Sequence, residues 1–597
     1  VLKNNEPAGF VTCVPMLNQA VLRSSWCVPY RQNVNRGVLS LTIQKFPISS
    51  FGEYMRKWIA LVVVITLSHG RVVLAQPRKA ANSVTAESAI NLARETLYGL
   101  QKNGNWENAK APDADKSAMS TENGQWGGLT ALATYALLAA GESYDDPRIK
   151  AALDWLKAAD MKGVYALSLR AQVWSLLPAK DTLPLLRRDA GLLLQGVRSK
   201  GADLGFYSYL IAPGGSSDHC VSHFGVMGTN SAAEFAPNSI PREYWRIVEQ
   251  AWLRDQSNGG WAYAKTNRVS ENATLSMTAA GVSCLLATQD FNHASDGVDC
   301  QGNIHYPALD AGITWLADYF QGKGPIANST FTWYSVARAG SDNGLKYFGT
   351  IDWREAGYNQ ILPIAGQWNE HGPVTGTSFA LLFLLTGEAP VAINKLAYEF
   401  ATVGVEPHWN ERPRDIANIT KSIALDAARL LNWRLATFDK PADWTAPILY
   451  LSGNQRLDFK KEDEEKLRIY VEHGGLLVFN ADAGSANFTN SILGAAGKPG
   501  LAARLFPELS PRKIPNDHPI FNKVHHRKGP QDFPDVTAVG DGKREFMVVL
   551  ANGDPARSWQ TRTAASHEFN MHIMTNIYTI CTERLPKPAV TANPRIR

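Results

Sequence analysis

Four side chains in the last third of the chain have types and spacing suited to ligand chemistry: Asp482 and Ser485, just after a short apolar run at 476–479, and Asp517-His518. An acid and a hydroxyl that follow the carboxyl end of a buried parallel strand sit where open α/β sheets take up ligands. We expect these four residues to line one pocket. For Asp517-His518-Pro519 the alternative is a capped turn leading into a strand. Asn369-Glu370-His371-Gly372 is a second polar string, read as either the lining of a cavity mouth or a solvated turn. Beyond residue 54 the cysteines are Cys220, Cys284, Cys300 and Cys581, and no pair has C-x-x-C spacing, so no zinc or redox motif is read from them. A disulfide among Cys220, Cys284 and Cys300 and buried free thiols are both open.

The elements that must position the four residues read as a βαβ unit. A buried strand at 448–451 ends at Ser452-Gly453, a charged amphipathic helix at 460–473 stops at Gly474-Gly475, and a second strand follows at 476–479. A helix at 419–431, a strand at 546–550 and a closing helix at 568–582 complete a domain expected over 412–585. The proline-rich tail at 586–597 reads as disordered. A linker is expected at 397–411, around Pro407 and Trp409.

Upstream, over 86–396, a different pattern repeats. Glycine-tryptophan strings stand at the head of alanine- and leucine-rich stretches: Gly124-Gln125-Trp126-Gly127 before 129–140, Asn258-Gly259-Gly260-Trp261 before 274–287, Gly366-Gln367-Trp368 before 375–385. Recurrence of one supersecondary unit signals a repeat architecture. Amphipathic stretches at 147–159 and 308–320 fall between them, with Pro147 and Pro307 at helix starts, where a missing N–H costs nothing. Counting weaker copies gives about six helical hairpins, the number that closes a ring.

Composition sets the class. With 597 residues, 45% apolar and 19% charged, and a net charge of +5, the chain is a globular protein of two or three domains. No basic cluster is interleaved with aromatics, which argues against a nucleic-acid partner. Met55-Arg56-Lys57, the apolar run 58–67 and Val73-Leu74-Ala75 have the layout of a secretory signal. The run is shorter than the roughly 20 residues of a membrane span. We expect a signal peptide at 55–75, preceded at 1–54 by a spurious upstream extension.

The Gly-x-Trp units resemble the repeats of the terpenoid cyclase and protein prenyltransferase superfamily, also called prenyltransferase/squalene-oxidase repeats. The resemblance implies an α/α toroid in which Trp126, Trp261 and Trp368 are structural rings between neighbouring hairpins. Its chemistry is not matched. The nearest string to the cyclase DxDD acid is Asp113-Ala114-Asp115-Lys116, with lysine in the last position. The nearest group to the transferase zinc ligands is Asp299-Cys300 with His305, adjacent on a Gly-rich loop. Toroids that degrade polysaccharides use two carboxylates flanking a sugar, for which Glu234, Glu271, Asp352, Glu355 and Glu370 are candidates.

The second half, from Ala446-Pro447-Ile448 through Tyr470-Val471-Glu472-His473-Gly474-Gly475 to Asn516-Asp517-His518-Pro519, resembles a bacterial glutamine-amidotransferase-like domain of unknown function. The resemblance implies a flavodoxin-like α/β fold. Amidotransferases need a cysteine at the strand-to-helix turn, and 480–485 contains none.

The expected architecture is therefore mainly α: an α/α toroid of helical hairpins, then a smaller flavodoxin-like α/β domain. The expected role is an exported, periplasmic or envelope binding or assembly scaffold for a small-molecule, glycan or protein ligand. No cofactor, metal or nucleic acid is expected, with membrane contact only if the signal segment is retained. The alternatives are a terpenoid-type enzyme or a carbohydrate-active toroid.

Overall fold

The computed structural model describes residues 84–108, 125–211, 217–236, 239–264, 272–323, 329–563 and 567–583. All belong to one compact unit, residues 81–597. The expected upstream extension and signal, Asp113-Ala114-Asp115-Lys116, Glu271 and the tail lie outside the described residues.

Twelve α-helices precede the large sheet among the described residues: α1 Ala86–Leu100, α2 Gly128–Ala139, α3 Pro147–Ala158, α4 Val164–Ser175, α5 Ala179–Gly196, α6 His219–Phe235, α7 Arg242–Asp255, α8 Leu275–Asn292, α9 Pro307–Asp318, α10 Thr330–Asp342, α11 Trp353–Ile361 and α12 Pro373–Glu388, with a two-stranded antiparallel ladder, Tyr347–Phe348 and Ile351–Asp352, between α10 and α11. The even-numbered helices are apolar or small-residue over most of their circumference, as in Gly128-Leu129-Thr130-Ala131-Leu132-Ala133, and are buried nearly all round. Each packs on the next, and α12 packs back on α2. The odd-numbered helices are amphipathic and lie against them. In α7 the buried face is Tyr244, Trp245, Val248, Ala251 and Trp252, a helical stripe with Arg242, Glu243 and Arg246 turned outward.

The structure shows what the tryptophans do, and corrects one assignment. Trp261 and Trp368 are buried, and each indole N–H donates to a carbonyl of the preceding outer helix, Trp252 O at 2.8 Å and Ile361 O at 3.0 Å. Trp126 makes no such bond; it is half-buried with its ring 5.1 Å from that of Trp155. The counterpart in the first repeat is Trp106, whose indole donates to Leu97 O at 2.6 Å. Trp106 and Trp261 share a whole device. Asn103-Gly104 and Asn258-Gly259 form tight turns at positive φ. The Trp106 and Trp261 amides then donate to Thr130 Oγ1 and Thr278 Oγ1 on the following inner helix. The Asn-Gly turn, rather than the Gly-Gln-Trp string, was the signal to follow.

The rest of the chain forms one sheet. Its strands are β1 Val391–Leu396, β2 Asn432–Ala436, β3 Ile448–Gly453, β4 Leu476–Ala481, β5 Arg512–Lys513, β6 Thr537–Gly540 and β7 Glu545–Leu550, in the spatial order β2-β1-β3-β4-β7-β6-β5. The first five in that order are parallel; β6 and β5 extend one edge antiparallel. Helices α13 Asp415–Asp426, α17 Pro555–Thr561 and α18 Ile573–Glu583 cover one face, and α14 Lys461–Glu472, α15 Ala486–Leu493 and α16 Leu501–Leu505 the other. Continuous apolar runs such as Ile448-Leu449-Tyr450-Leu451 are what a strand buried on both faces requires.

The expected boundary between the two halves moves. Residues 391–396, assigned above to the helical repeats, are an interior strand of the sheet, and 397–411 is the loop leaving its carboxyl end rather than a linker. Asn394 and Lys395 interrupt the apolar run and so hide the strand. Both are buried with partners: Asn394 Oδ1 accepts from the Ala446 amide at 2.9 Å, and Lys395 Nζ meets Asp415 Oδ1 at 2.7 Å. No disulfide joins Cys220, Cys284 or Cys300. No helix among the described residues is long and apolar enough to cross a membrane.

Trp106→Ala and Trp261→Ala should each lower the unfolding free energy by about 3–5 kcal/mol, the usual cost of deleting a buried indole. Trp126→Ala should cost less. Denaturant titration of the three variants checks the reassignment.

Candidate functional site

Strand order reverses between β1 and β3: the chain leaves β1 toward β2 on one side and returns to pair on the other. This is the crevice where a doubly wound sheet opens at its carboxyl ends. Four loops meet there, after β1, β3, β4 and β7, and they bring Glu411, Arg412, Asn454, Asp482, Ser485 and Asp554 together.

Arg412 stands at the centre and is fully buried. Its Nη1 and Nη2 donate to Asp554 Oδ1 and Oδ2 at 2.8 and 2.6 Å, a forked ion pair, and Nη1 also donates to Asp482 Oδ1 at 2.6 Å. Such two-pronged pairing is the strong, directional form of an arginine–carboxylate bond. Asn480, the penultimate residue of β4, donates to Asp482 Oδ1 at 2.7 Å. Asp482 Oδ2 is buried without a hydrogen-bond partner. Since Asp554 alone balances the guanidinium, Asp482 is the surplus acid. Burial, reinforced by Asp554, Asp415 and Glu411 and opposed by Arg412, pushes its carboxyl up to about 7.

The crevice is closed from the helical side by the loop between α8 and α9. Gly297 lies so close to Glu411 that a methyl group on it would sit 1.6 Å from the Glu411 carbonyl oxygen. Glu411 Oε1 accepts from the Gly302 amide and from Asn454 Nδ2, and Asn454 also donates to Cys300 O. Arg412 Nη2 reaches Cys300 Sγ at 3.3 Å. A thiol therefore does stand at the strand ends, supplied from more than a hundred residues upstream, where sequence gave no reason to seek it. His408 is close by, 3.5 Å from Glu411 Oε1 and 3.1 Å from Asn454 Oδ1. Thiol, acid and imidazole share the cluster in the wrong arrangement for a triad, because the imidazole faces Glu411 and Asn454. Burial pushes the Cys300 thiol up to about 12, the opposite of nucleophile activation.

At the strand-to-helix turn after β4, where an amidotransferase carries its cysteine, the residue with φ of 51° is Ala483. Its amide donates to Asp554 Oδ2 at 3.0 Å. Of the four residues expected to share a pocket, two meet here. Asp482 is held by Arg412, and Ser485 donates to Asn454 O at 2.6 Å while capping α15 through the Phe488 amide. Asp517 and His518 lie elsewhere. Ile520 and Phe521 bury in the face that carries α18, which draws His518 toward Glu545 at the start of β7, 3.6 Å away. Asp517 is exposed, and His518 Nδ1 accepts from the Ile520 amide as a turn cap, here leading into a short 3-10 turn.

Of the other expected groups, Glu355 is exposed on α11 and the rest have partners. Glu370 accepts from Ser329 Oγ, Thr330 Oγ1 and the Phe331 amide and so anchors the start of α10. Asp352 caps α11, and Glu234 pairs with Lys421 at 2.8 Å. His305 is exposed beside Glu406, while Cys300 turns to Arg412, so the two do not converge as metal ligands.

A cavity of about 200 Å³ opens where the carboxyl ends of α2, α10 and α12 meet α13 and β2. Its charged and phenolic lining is Arg338, Asp342, Arg414, Lys421, Tyr135 and Tyr334. Arg414 is fixed by Asp290 at 2.8 Å and by Asp342 O. Arg338 is held more loosely, 3.4 Å from Tyr334 OH and 3.8 Å from Asp342 Oδ2, with Nε unpartnered.

Residues 393–578 match the family described as a domain of unknown function, DUF4159, a span that opens inside β1 and closes inside α18. No protein with a curated description matches the chain. Among solved structures the chain is similar to that of a possible member of the GH105 family from Salmonella enterica subsp. enterica serovar Paratyphi A str. ATCC 9150. That similarity is 12% identity over 53% of this chain and 98% of that one, with a TM-score of 0.34.

Two outcomes test the cluster. Raised above the unfolded value of about 3.9, the Asp482 carboxyl binds its proton more tightly in the folded state. Folding stability should then fall as pH rises from about 4 to about 7, by at most about 1.4 kcal/mol per pH unit from this group. Asp482→Asn should flatten that slope in denaturant titrations across the window. Arg412→Met, which leaves two acids without their cation, should cost about 3–5 kcal/mol at pH 8.

Proposed function

We propose that the protein is a binding or assembly scaffold without cyclase or amidotransferase chemistry. In this reading the twelve helices form a closed α/α toroid of the prenyltransferase/squalene-oxidase type, and the sheet is a flavodoxin-like, amidotransferase-like domain that caps one end of it. The observation that carries the reading is the cavity at that end: small, with Arg338, Arg414 and Lys421 set in a largely apolar lining. Generating a carbocation calls for a dry aromatic chamber with a protonated acid aimed at an alkene. A cavity of about 200 Å³ has no room for a polyprenyl chain, and the three cations in its lining would repel a carbocation. Ligand pockets for drug-sized molecules run to about 300–1,000 Å³, so the occupant is a small polar molecule or the tip of a larger one.

Glycoside cleavage needs two carboxylates about 5–10 Å apart on either side of a sugar. Glu234, Asp352 and Glu370 are instead committed to an ion pair, a helix cap and a helix start. Amide hydrolysis needs a nucleophile at the turn that Ala483 occupies. The signal-like segment at 55–75 supports export to the periplasm or cell envelope.

Purified protein should release no ammonia from glutamine and turn over no polyprenyl or triterpenoid substrate. In a thermal-shift screen of small sugar acids and phosphates, a ligand at 100 times its Kd adds about 2.7 kcal/mol of stability. Arg338→Met should remove that gain. Glutamine turnover that disappears in Cys300→Ser would refute the scaffold reading.

A further inference from the structure

We propose that Asp426, His525 and His572 form a binding site for a divalent transition cation, zinc first among them, on the sheet face that carries α13 and α18. One oxygen or nitrogen from each of the three lies within 4.8 Å of the other two. Ligands around a tetrahedral zinc stand about 3.3 Å apart when the bonds are about 2.0–2.1 Å. His525 Nε2 and Asp426 Oδ2 are already 2.9 Å apart. Two imidazoles and a carboxylate suit zinc, and also cobalt, nickel or ferrous iron, better than magnesium or calcium.

The three residues come from separate elements: the last position of α13, the loop after Phe521, and the residue just before α18. The shell behind them is built. Thr575 Oγ1 donates to Asp426 Oδ2 at 2.7 Å and orients the carboxylate. Asn576 is fully buried and clamps the His525 segment from both sides. Its Oδ1 accepts from the Val524 and His525 amides, and its Nδ2 donates to Ile520 O and His525 O. Outer partners of this kind fix ligand orientation in metal sites, and losing one typically costs about 10–100-fold in affinity.

A second observation points to a ligand. His572 Nδ1 is shut away from solvent with no hydrogen-bond partner. An imidazole nitrogen in that state has lost water and gained nothing, unless a cation or proton donor comes to it. The charged groups whose fields reach His572, besides His525, are Asp426, Glu568 and Asp532, all acidic, with Glu568 paired to Lys528. The two rings stack with centroids 4.0 Å apart and 23° between planes. Stacked rings hold their nitrogens side by side, so binding requires one ring to turn about its Cβ–Cγ bond until both point at the ion.

The test is a titration of the untagged full chain with zinc chloride against a chromophoric chelator. The expected result is one tight equivalent, weakened about 10-fold or more in His525→Ala, His572→Ala and Thr575→Val. X-ray absorption of the zinc-loaded wild type should show scattering from two imidazoles. Absence of a stoichiometric site, or equal binding by wild type and the histidine variants, overturns the proposal. Should His572→Ala fail to fold, the absorption spectrum decides, and one without imidazole scattering rejects the site.

Discussion

Arg412 and Arg414, two residues apart around Pro413, reach into opposite halves of the molecule, and the arrangement of those halves depends on them. Arg412 gathers the acids at the ends of β4 and β7; Arg414 crosses to Asp290 at the end of α8. Glu411 and Asp415 flank them, so four of five consecutive residues are ionisable and buried. A charge taken out of water costs several kcal/mol unless it is paired and hydrogen-bonded. Each partner lies 70 to 142 residues away from its arginine along the chain. The short segment therefore meets its partners only when the helical half and the sheet are both folded. Removing one partner strands a charge, which makes the joint intolerant of partial assembly.

The same segment explains where sequence reading succeeded and where it did not. β3, α14 and β4 were legible because their patterns are local: apolar runs, one charged amphipathic stretch, and Gly474-Gly475 as a stop. The loop at 397–411 was read as a linker because polarity in a sequence suggests water, and no local signal says that Glu411 will face the Gly302 amide or that Arg412 will be covered. β1 was lost for the same reason, since Lys395 makes sense only beside Asp415. Asp482 and Ser485 were found through their place after a strand. His518 was misplaced because the burial of Ile520 and Phe521, a tertiary fact, carries it to the opposite end of the strands. Cys300 could not have been connected with that crevice, since only the docking of the α8–α9 loop brings it there.

Within the helical half, tryptophan works as a tie rather than as a binding surface. Each of Trp106, Trp261 and Trp368 hydrogen-bonds back to the outer helix that precedes it while its ring fills the space beside the next inner helix. Small residues make the fit. Gly281 stands where any side chain would collide with the Trp261 ring at 2.5 Å, and Gly340 is placed likewise against Trp353. At these positions glycine and tryptophan serve one purpose together, close apposition of helices over flat rings.

Helix α12 ends at Glu388 and β1 begins at Val391, so the last of the twelve helices runs almost directly into the sheet. The inner-helix partners of α12 are α10 and α2, and it also packs on α1, from the far end of the helical half. During synthesis α1 and α2 must therefore do without this partner until the chain has been made as far as residue 388. Asp290 and Glu234 wait longer still, for the cations at 414 and 421. In a chain made from its N-terminus, the earliest helices are thus the ones that wait longest for their last packing partners.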